Sequence, residues 1–231
     1  MTDIKADYVD HMGDDLRVVN AARVSFDKES EWEWDECGVK SSFTGESRQI
    51  LSNGDTKLIN YLATHGHWTP FSHPQVTIRE TVPIFVARQR FKHMIGFAYN
   101  EVSRRYVSDE PEFYWPGQWR GAPTDGAKQG SSGGIAHSEN ELCNMELRQL
   151  ENAALKTYND LLKRGVAPEM ARMVLPQSMM TSYYVTGSLA AWARAYKLRI
   201  DAHAQKEIRD LAVQWGEVIQ PLFPVSWKAL T

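Results

Sequence analysis

The sequence predicts a chain of both α and β structure, and three observations carry that expectation. Short runs rich in β-branched and aromatic residues occupy residues 4–9, 75–81 and 180–186, which is the composition of strands. Longer stretches carry apolar residues at helical spacing, most clearly Leu147, Leu150, Ala154, Tyr158, Leu161 and Leu162. No G-x-G-x-x-G follows a predicted strand, so a Rossmann dinucleotide fold is not expected.

The elements follow in order. After the first strand, Asp14 or Asp15 is placed to cap a helix through Leu16, Val19, Ala22 and Arg23. Residues 27–53 are polar, lack periodicity and hold Trp32, Trp34 and Cys37, so they read as a loop insert. Asp55 then caps a helix through Leu58, Ile59 and Leu62 that ends near Gly66. Residues 75–81 put Val76, Ile78 and Glu80 on one face of a strand that feeds a helix from Ile84 to His93. Arg88 and Lys92, spaced i, i+4, share a face of that helix. Gly96 breaks it, and Asn100, Ser103, Arg104 and Arg105 follow in a turn-prone segment.

Residues 117–140 are rich in Gly and Ser and have the composition of a mobile loop. Gly165 ends the next helix and Pro168 starts another. Beyond the third strand Ser188 opens a helix through Trp192, Ala195 and Tyr196. Ala204, Ile208, Leu211, Ala212, Trp215 and Ile219 form the buried stripe of a last long helix, with Arg199 at its start.

Composition narrows the function. The 231 residues allow one large domain or two small ones. Charge collects where the chain as a whole has little: the net charge is −3, yet Arg88, Arg90, Lys92, Arg104 and Arg105 face a single acid, Glu101. Arginine forks beside a hydroxyl and an amide suit an anionic ligand such as a phosphate. The acidic balance argues against a general nucleic-acid binder. Two cysteines without metal-like spacing suit a reducing cytoplasm. The polar N-terminus does not read as a signal peptide, and no apolar run is long enough to span a membrane. His65, His67 and His73 match no fixed zinc pattern, so no metal is expected.

The basic stretch resembles the signature of the flavin-dependent thymidylate synthases, R-Q-x-x-R-H-R, a short spacer, then N-E-x-S-x-R-Y. Arg88-Gln89 matches its opening, and Asn100-Glu101-Val102-Ser103-Arg104-Arg105-Tyr106 its close. Lys92-His93-Met94 stands where the family has R-H-R, and the spacer is one residue longer. Further strings agree in order: Ala21 to Phe26, then His67, Pro70, Phe71 and His73 of H-x-x-P-F-x-H, and Glu112 to Pro116. Ala171-Arg172-Met173-Val174-Leu175-Pro176 and the run from Leu198 to Ile208 (L-R-x-D-x-H-A-Q-x-E-I) complete the set.

That resemblance implies an α/β fold with a mixed sheet flanked by helices, a single domain over 1–231, and a helical C-terminal half. It also implies a cytoplasmic homotetramer with active sites shared between chains. The implied reaction is methylation of dUMP to dTMP, with methylenetetrahydrofolate as carbon donor and FAD, reduced by NADPH, as hydride carrier. Arg199 matches the residue that holds negative charge on the pyrimidine. Gln89, Lys92, Glu101, Ser103, Arg104, Arg105 and Arg172 match the dUMP contacts. His67, Thr69, Lys92, His93, Met94 and Glu101 match FAD contacts, as do Ser188, Leu189, Ala190, Arg194 and His203. Two rivals stand beside it: a catalytically idle flavin-binding relative, and a single-stranded nucleic-acid platform built from the basic residues with Phe91, Phe97, Tyr99 and Tyr106.

Overall fold

Alternation along residues 75–83 sets the centre of the fold. Val76, Ile78, Glu80 and Val82 are buried on one face, while Thr77, Arg79 and Thr81 point to the other, the period-two pattern of a sheet covered on one side. The structure, a computed structural model, describes residues 3–34, 49–107, 109–124 and 130–231. Its strands are β1 (Lys5–Met12), β2 (Glu33–Trp34), β3 (Gln49–Ile50), β4 (Gln75–Pro83), β5 (Phe97–Glu101) and β6 (Met180–Ser188). The main sheet has the order β1-β4-β6-β5, and β2 and β3 form a separate ladder.

Every neighbouring pair in the main sheet is antiparallel, which corrects the expectation of a mixed sheet. β4 and β5 do run the same way, as in a β-α-β unit. β6 inserts between them, so the parallel pair never forms. The α/β class and the absence of a Rossmann arrangement both hold.

The helices are α1 (Asp15–Arg23), α2 (Asn53–Thr64), α3 (Ile84–Arg90), α4 (His137–Lys163), α5 (Pro168–Ala171), α6 (Leu189–Arg199), α7 (Lys206–Ile219) and α8 (Pro224–Leu230). No helix among the described residues is long and apolar enough to cross a membrane. The core lies between the covered sheet face and α1, α2, α6, α7 and α8. Ile78, Val185, Trp192, Leu211 and Trp215 are fully buried there, and the Trp192 indole donates to the Val76 carbonyl at 3.1 Å. The stripe predicted for the last long helix is buried on α7 from Ile208 to Ile219. The opposite sheet face is polar and hydrogen-bonds to itself, Thr77 to Thr186 at 2.9 Å and Arg79 to Ser182 at 3.0 Å.

Local chemistry explains the helix ends. Asp14 caps α1, its carboxylate accepting from the Arg17 amide at 2.8 Å. Asp15 faces inward instead and accepts from the Val225 and Ser226 amides at 2.8 and 2.9 Å, which caps α8 from a distance. Ser52, not Asp55, caps α2: its hydroxyl accepts from the Asp55 amide at 3.0 Å and donates to the Asp55 carboxylate at 2.8 Å. The insert predicted at 27–53 holds the β2–β3 ladder and Leu51, which is buried. Residues 35–48, with Cys37, lie outside the described residues. The loop predicted at 117–140 is shorter, because α4 begins at His137, ahead of its apolar stripe. Leu150, assigned to that stripe, stays exposed.

Asp55 offers a test of this scaffold. Its carboxylate also takes Arg23 Nη2 at 2.6 Å and the Ser30 hydroxyl at 2.9 Å. Burial alone pushes its pKa up, but the bonds from Arg23, Ser52 and Ser30 outweigh it and hold the group below the usual carboxylate range. A depressed folded-state pKa gives stability that is present above the unfolded value and lost as pH falls through the folded one. Asp55→Asn is therefore expected to lose about 1–3 kcal/mol near neutral pH. The deficit should shrink as pH falls below about 4. Urea unfolding at both pH values checks this, and a deficit independent of pH contradicts it.

Candidate active site

α3 leaves β4 directly and stops at Arg90, three residues short of the predicted end at His93. Arg90, its last residue, is held in the core. Its side chain is 0% exposed, and Nε lies 3.0 and 3.1 Å from the two oxygens of Glu80 on β4. Nη1 donates to the Tyr99 hydroxyl. Phe97, Trp192 and Trp215 surround the guanidinium with ring centroids 4.4–4.8 Å away, a desolvated cation–π cage. Tyr183 donates to Glu80 at 2.6 Å, and burial beside that carboxylate pushes its hydroxyl far above the ordinary tyrosine value. The Tyr99 hydroxyl donates to the His93 carbonyl at 2.6 Å, holding the turn that follows the helix.

With the helix ended, Lys92 lies exposed in that turn and lines neither of the two cavities beside α3, so the i, i+4 face with Arg88 does not form. Asn100, predicted in a turn, belongs to β5 and pairs with Tyr184. Gly96 is needed where it stands. Its φ is +81°, and a Cβ there would come 2.8 Å from the Ala191 Cβ.

The turn carries His93 against Arg199. Arg199 Nε donates to His93 Nε2 at 2.8 Å, and Nη2 reaches the Gln89 carbonyl at 3.4 Å. His93 is 8% exposed. Burial, then the cations Arg199, Arg90 and Arg194, bring its pKa down to about 4. The ring is thus neutral at ordinary pH, and accepting at Nε2 puts its proton on Nδ1. Arg199 is the last residue of α6 rather than the first of the following helix. The chain turns there because Asp201 accepts from the His203 amide at 2.7 Å.

Two cavities flank α3. The first, about 730 Å³, is lined by Gln89, Arg199 and His203 together with Arg120, Ser131, Lys197, Asp201 and Gln205. The second, about 670 Å³, is lined by Arg88, Glu101, Arg104 and Arg172 beside Arg79, Thr81 and Ser182 of the polar sheet face. Arg88 and Gln89 serve different cavities because successive helical residues point about 100° apart. In the second cavity Glu101 accepts from Thr181 at 2.7 Å. Ser103 and Arg105 are placed at its edge, on the turn that carries Arg104, with Arg105 Nε donating to the Ser103 hydroxyl at 3.2 Å. One chain therefore brings Gln89, Arg199 and His203 together, and Glu101, Arg104 and Arg172 together, on separate sides.

The residues matched to FAD divide as well. The turn after His93 packs on the start of α6: the Ser188 amide donates to the Gly96 carbonyl at 3.1 Å, and Arg194 donates to the Ile95 carbonyl. Met94 and Ile95 are 73% and 77% exposed on this ledge. His67 and Thr69 are exposed just before the 3₁₀ turn Pro70–Ser72, and the Leu189 amide donates to the Pro74 carbonyl at 3.0 Å. Two matched side chains are committed elsewhere. The Ser188 hydroxyl caps α6, and Leu189 is fully buried, since both serve the helix start and the core. Among the described residues no group of His, Cys, Asp and Glu has the makings of a metal site.

Sequence reading missed Arg120, Lys197 and Gln205 as wall residues. Gln205 stood in a matched string, whereas nothing local marks Arg120. A helix-covered antiparallel sheet carries two cavities beside α3 in which arginines gather, the second sharing its lining with Glu101, Asp109, Glu110, Glu112 and Glu169, and such arginine clusters suit a ligand with an anionic group.

Comparison with known proteins names the class further. The family described as thymidylate synthase complementing protein matches residues 7–225. The flavin-dependent thymidylate synthase of Thermosipho africanus is 36% identical over 221 residues, 96% of this chain and 88% of that one. A counterpart from Thermus thermophilus is 37% identical over 221 residues, 96% and 73% of the two chains. The crystal structure of the UMP/dUMP methylase PolB from Streptomyces cacaoi, bound with 5-Br UMP, has a TM-score of 0.81 at 28% identity, covering 99% of this chain and 94% of that one. The chain belongs to the flavin-dependent thymidylate synthase family, enzymes of the methyltransferase class.

Proposed function

We propose that this enzyme methylates dUMP at C5 to give dTMP, taking the carbon from methylenetetrahydrofolate and using FAD reduced by NADPH. One observation carries this reading: Gln89, Arg199 and His203, matched separately from two distant strings, line a single cavity. A relative that is a UMP/dUMP methylase, with the same fold, supports the substrate class.

The residues define a division of labour. Arg199 holds a fixed positive charge at the cavity wall, and His93 fixes its direction by accepting from Nε. C5 of the pyrimidine becomes nucleophilic as negative charge gathers on the ring, and a preorganised cation lowers the energy of that state. Arg88, Arg104 and Arg172 supply the charge a nucleotide phosphate needs in the second cavity. Glu101, the last residue of β5 and fixed by Thr181, lines that cavity beside those cations.

The flavin is assigned to the ledge of Met94, Ile95 and Arg194 beside Ala190 at the start of α6, with His67 and Thr69 before the neighbouring 3₁₀ turn, because exposed apolar side chains can cover a flat ring and a cation suits the negative charge of a reduced flavin. Ser188 and Leu189 contribute only backbone there. When bound, reduced FAD supplies the hydride that converts the transferred methylene to methyl. The separation of the two cavities in one chain supports a homotetramer in which the Arg199 cavity of one subunit meets the Arg172 cavity of another.

The test is to incubate purified, flavin-loaded protein with dUMP, NADPH and methylenetetrahydrofolate and to measure dTMP. Turnover is expected from a tetrameric species in light scattering. A yellow protein that makes no dTMP supports the idle-relative reading, and colourless protein that retains single-stranded nucleic acid supports the other rival.

A further inference from the structure

The described part of residues 117–136 reaches from α4 to the Arg199 cavity. Arg120 and Gly134 form an antiparallel bridge, and the Ile135 amide donates to the Trp119 carbonyl at 3.1 Å. Trp119 anchors this hairpin to α4, its amide donating to Asn140 and its indole to Asn144, both at 2.9 Å. Arg120 crosses to α7, where Nη2 donates to the two Glu207 oxygens at 2.7 and 2.9 Å. Its Nε donates to the Ser131 hydroxyl at 2.8 Å.

Glu207 is 4% exposed while Arg120 is partly exposed, so the carboxylate end of the pair is the shielded one. The same carboxylate accepts from Gln205 Nε2 at 2.9 Å. Gln205 Oε1 in turn accepts from the Gln89 side-chain amide. The bonds thus run from the hairpin to Gln89, whose carbonyl meets Arg199.

We propose that Arg120 is a positioning residue for nucleotide binding: it latches the hairpin as a wall of the Arg199 cavity and, through Glu207 and Gln205, fixes the Gln89 carboxamide. This rests on the dUMP reading above. With Arg120 present, Glu207 has its cation and Gln205 spends its N–H groups on that carboxylate, which leaves Oε1 for Gln89. Without Arg120, the buried carboxylate recruits other donors. The orientation of Gln205 is then no longer set.

The experiment measures dUMP affinity of the FAD-loaded enzyme by calorimetry without folate, so that no turnover occurs. Wild type, Arg120→Gln, Gln205→Ala and the double variant form a cycle, with Tm recorded for each. Arg120→Gln is expected to weaken dUMP binding about tenfold, and Arg120→Lys to restore part of it. In the Gln205→Ala background the Arg120 change should cost little more, since the route to Gln89 is already broken. Arg120→Lys carries the same comparison if the glutamine variant does not fold. Independent, additive losses overturn the proposal, as does unchanged dUMP affinity with a lowered Tm, which makes the latch structural only. Failure of wild type to bind dUMP overturns the functional reading itself.

Discussion

Arg199→Ala is expected to keep its fold and its FAD while losing about 10²–10³ in methylation rate at saturating dUMP. The side chain is at the end of α6 and half-buried, lining the cavity rather than filling the core. Burial and the nearby Arg90 lower its pKa from the ordinary arginine value, yet it starts so high that the group stays charged at working pH. The part proposed for it is therefore charge stabilisation, not proton transfer. Lysine should rescue only a fraction, because it keeps the charge but cannot donate to His93 and reach the cavity with one fork. Side-by-side rates and flavin contents check this. Near wild-type turnover in Arg199→Ala would remove the residue from the chemistry, and loss of fold would make its role structural.

Glu80→Ala should be the most destabilising of these changes, at about 3–5 kcal/mol. It leaves the Arg90 cation, 0% exposed, buried without its carboxylate inside the aromatic cage. Arg90 Nη2 already lacks a hydrogen-bond partner there, so the site has no spare acceptor. Replacing both members, as Glu80→Leu with Arg90→Met, should cost much less than the single change, because the lone charge goes with its partner. Urea unfolding of the two variants beside wild type decides the point. A single-variant loss below about 1 kcal/mol would show that the pair contributes little.

The parts of the fold that follow local rules were legible. The alternation at Val76, Ile78 and Glu80 marked the covered face of β4, the α1 cap was narrowed to Asp14 or Asp15, of which Asp14 is the cap, and the α7 stripe was placed correctly from Ile208 to Ile219. The parts set by distant partners were not. Arg90 counted as one more surface cation beside Arg88 and Lys92, because only the packing of β4 brings Glu80 against it. Glu80 on a buried face was the one signal, an acid that needed a partner. The sheet's antiparallel order depends on β6, which enters between β4 and β5 from about eighty residues further along the chain.

The site shows the same divide. The strings around Gln89 and Arg199 pointed to one ligand, and the structure puts both on one cavity wall. Arg199 was read as opening a helix because the apolar stripe from Ala204 to Ile219 follows it closely. The Asp201–His203 turn instead separates α6 from α7. The Gly- and Ser-rich composition of residues 117–140 suggested a loop without a task, and spacing cannot show that Arg120 meets Glu207 across 87 residues. Ser103 and Arg105 lie on the turn after β5, Ser103 half-buried and Arg105 exposed, at the edge of the second cavity.

The most direct measurement is a single-turnover reaction without oxygen. Enzyme carrying FAD reduced in stoichiometric amount is mixed with dUMP and methylenetetrahydrofolate, and flavin absorbance and dTMP are followed together. The account predicts one flavin reoxidised for each dTMP formed, with neither change when dUMP is left out. Formation of dTMP while the flavin stays reduced would contradict it.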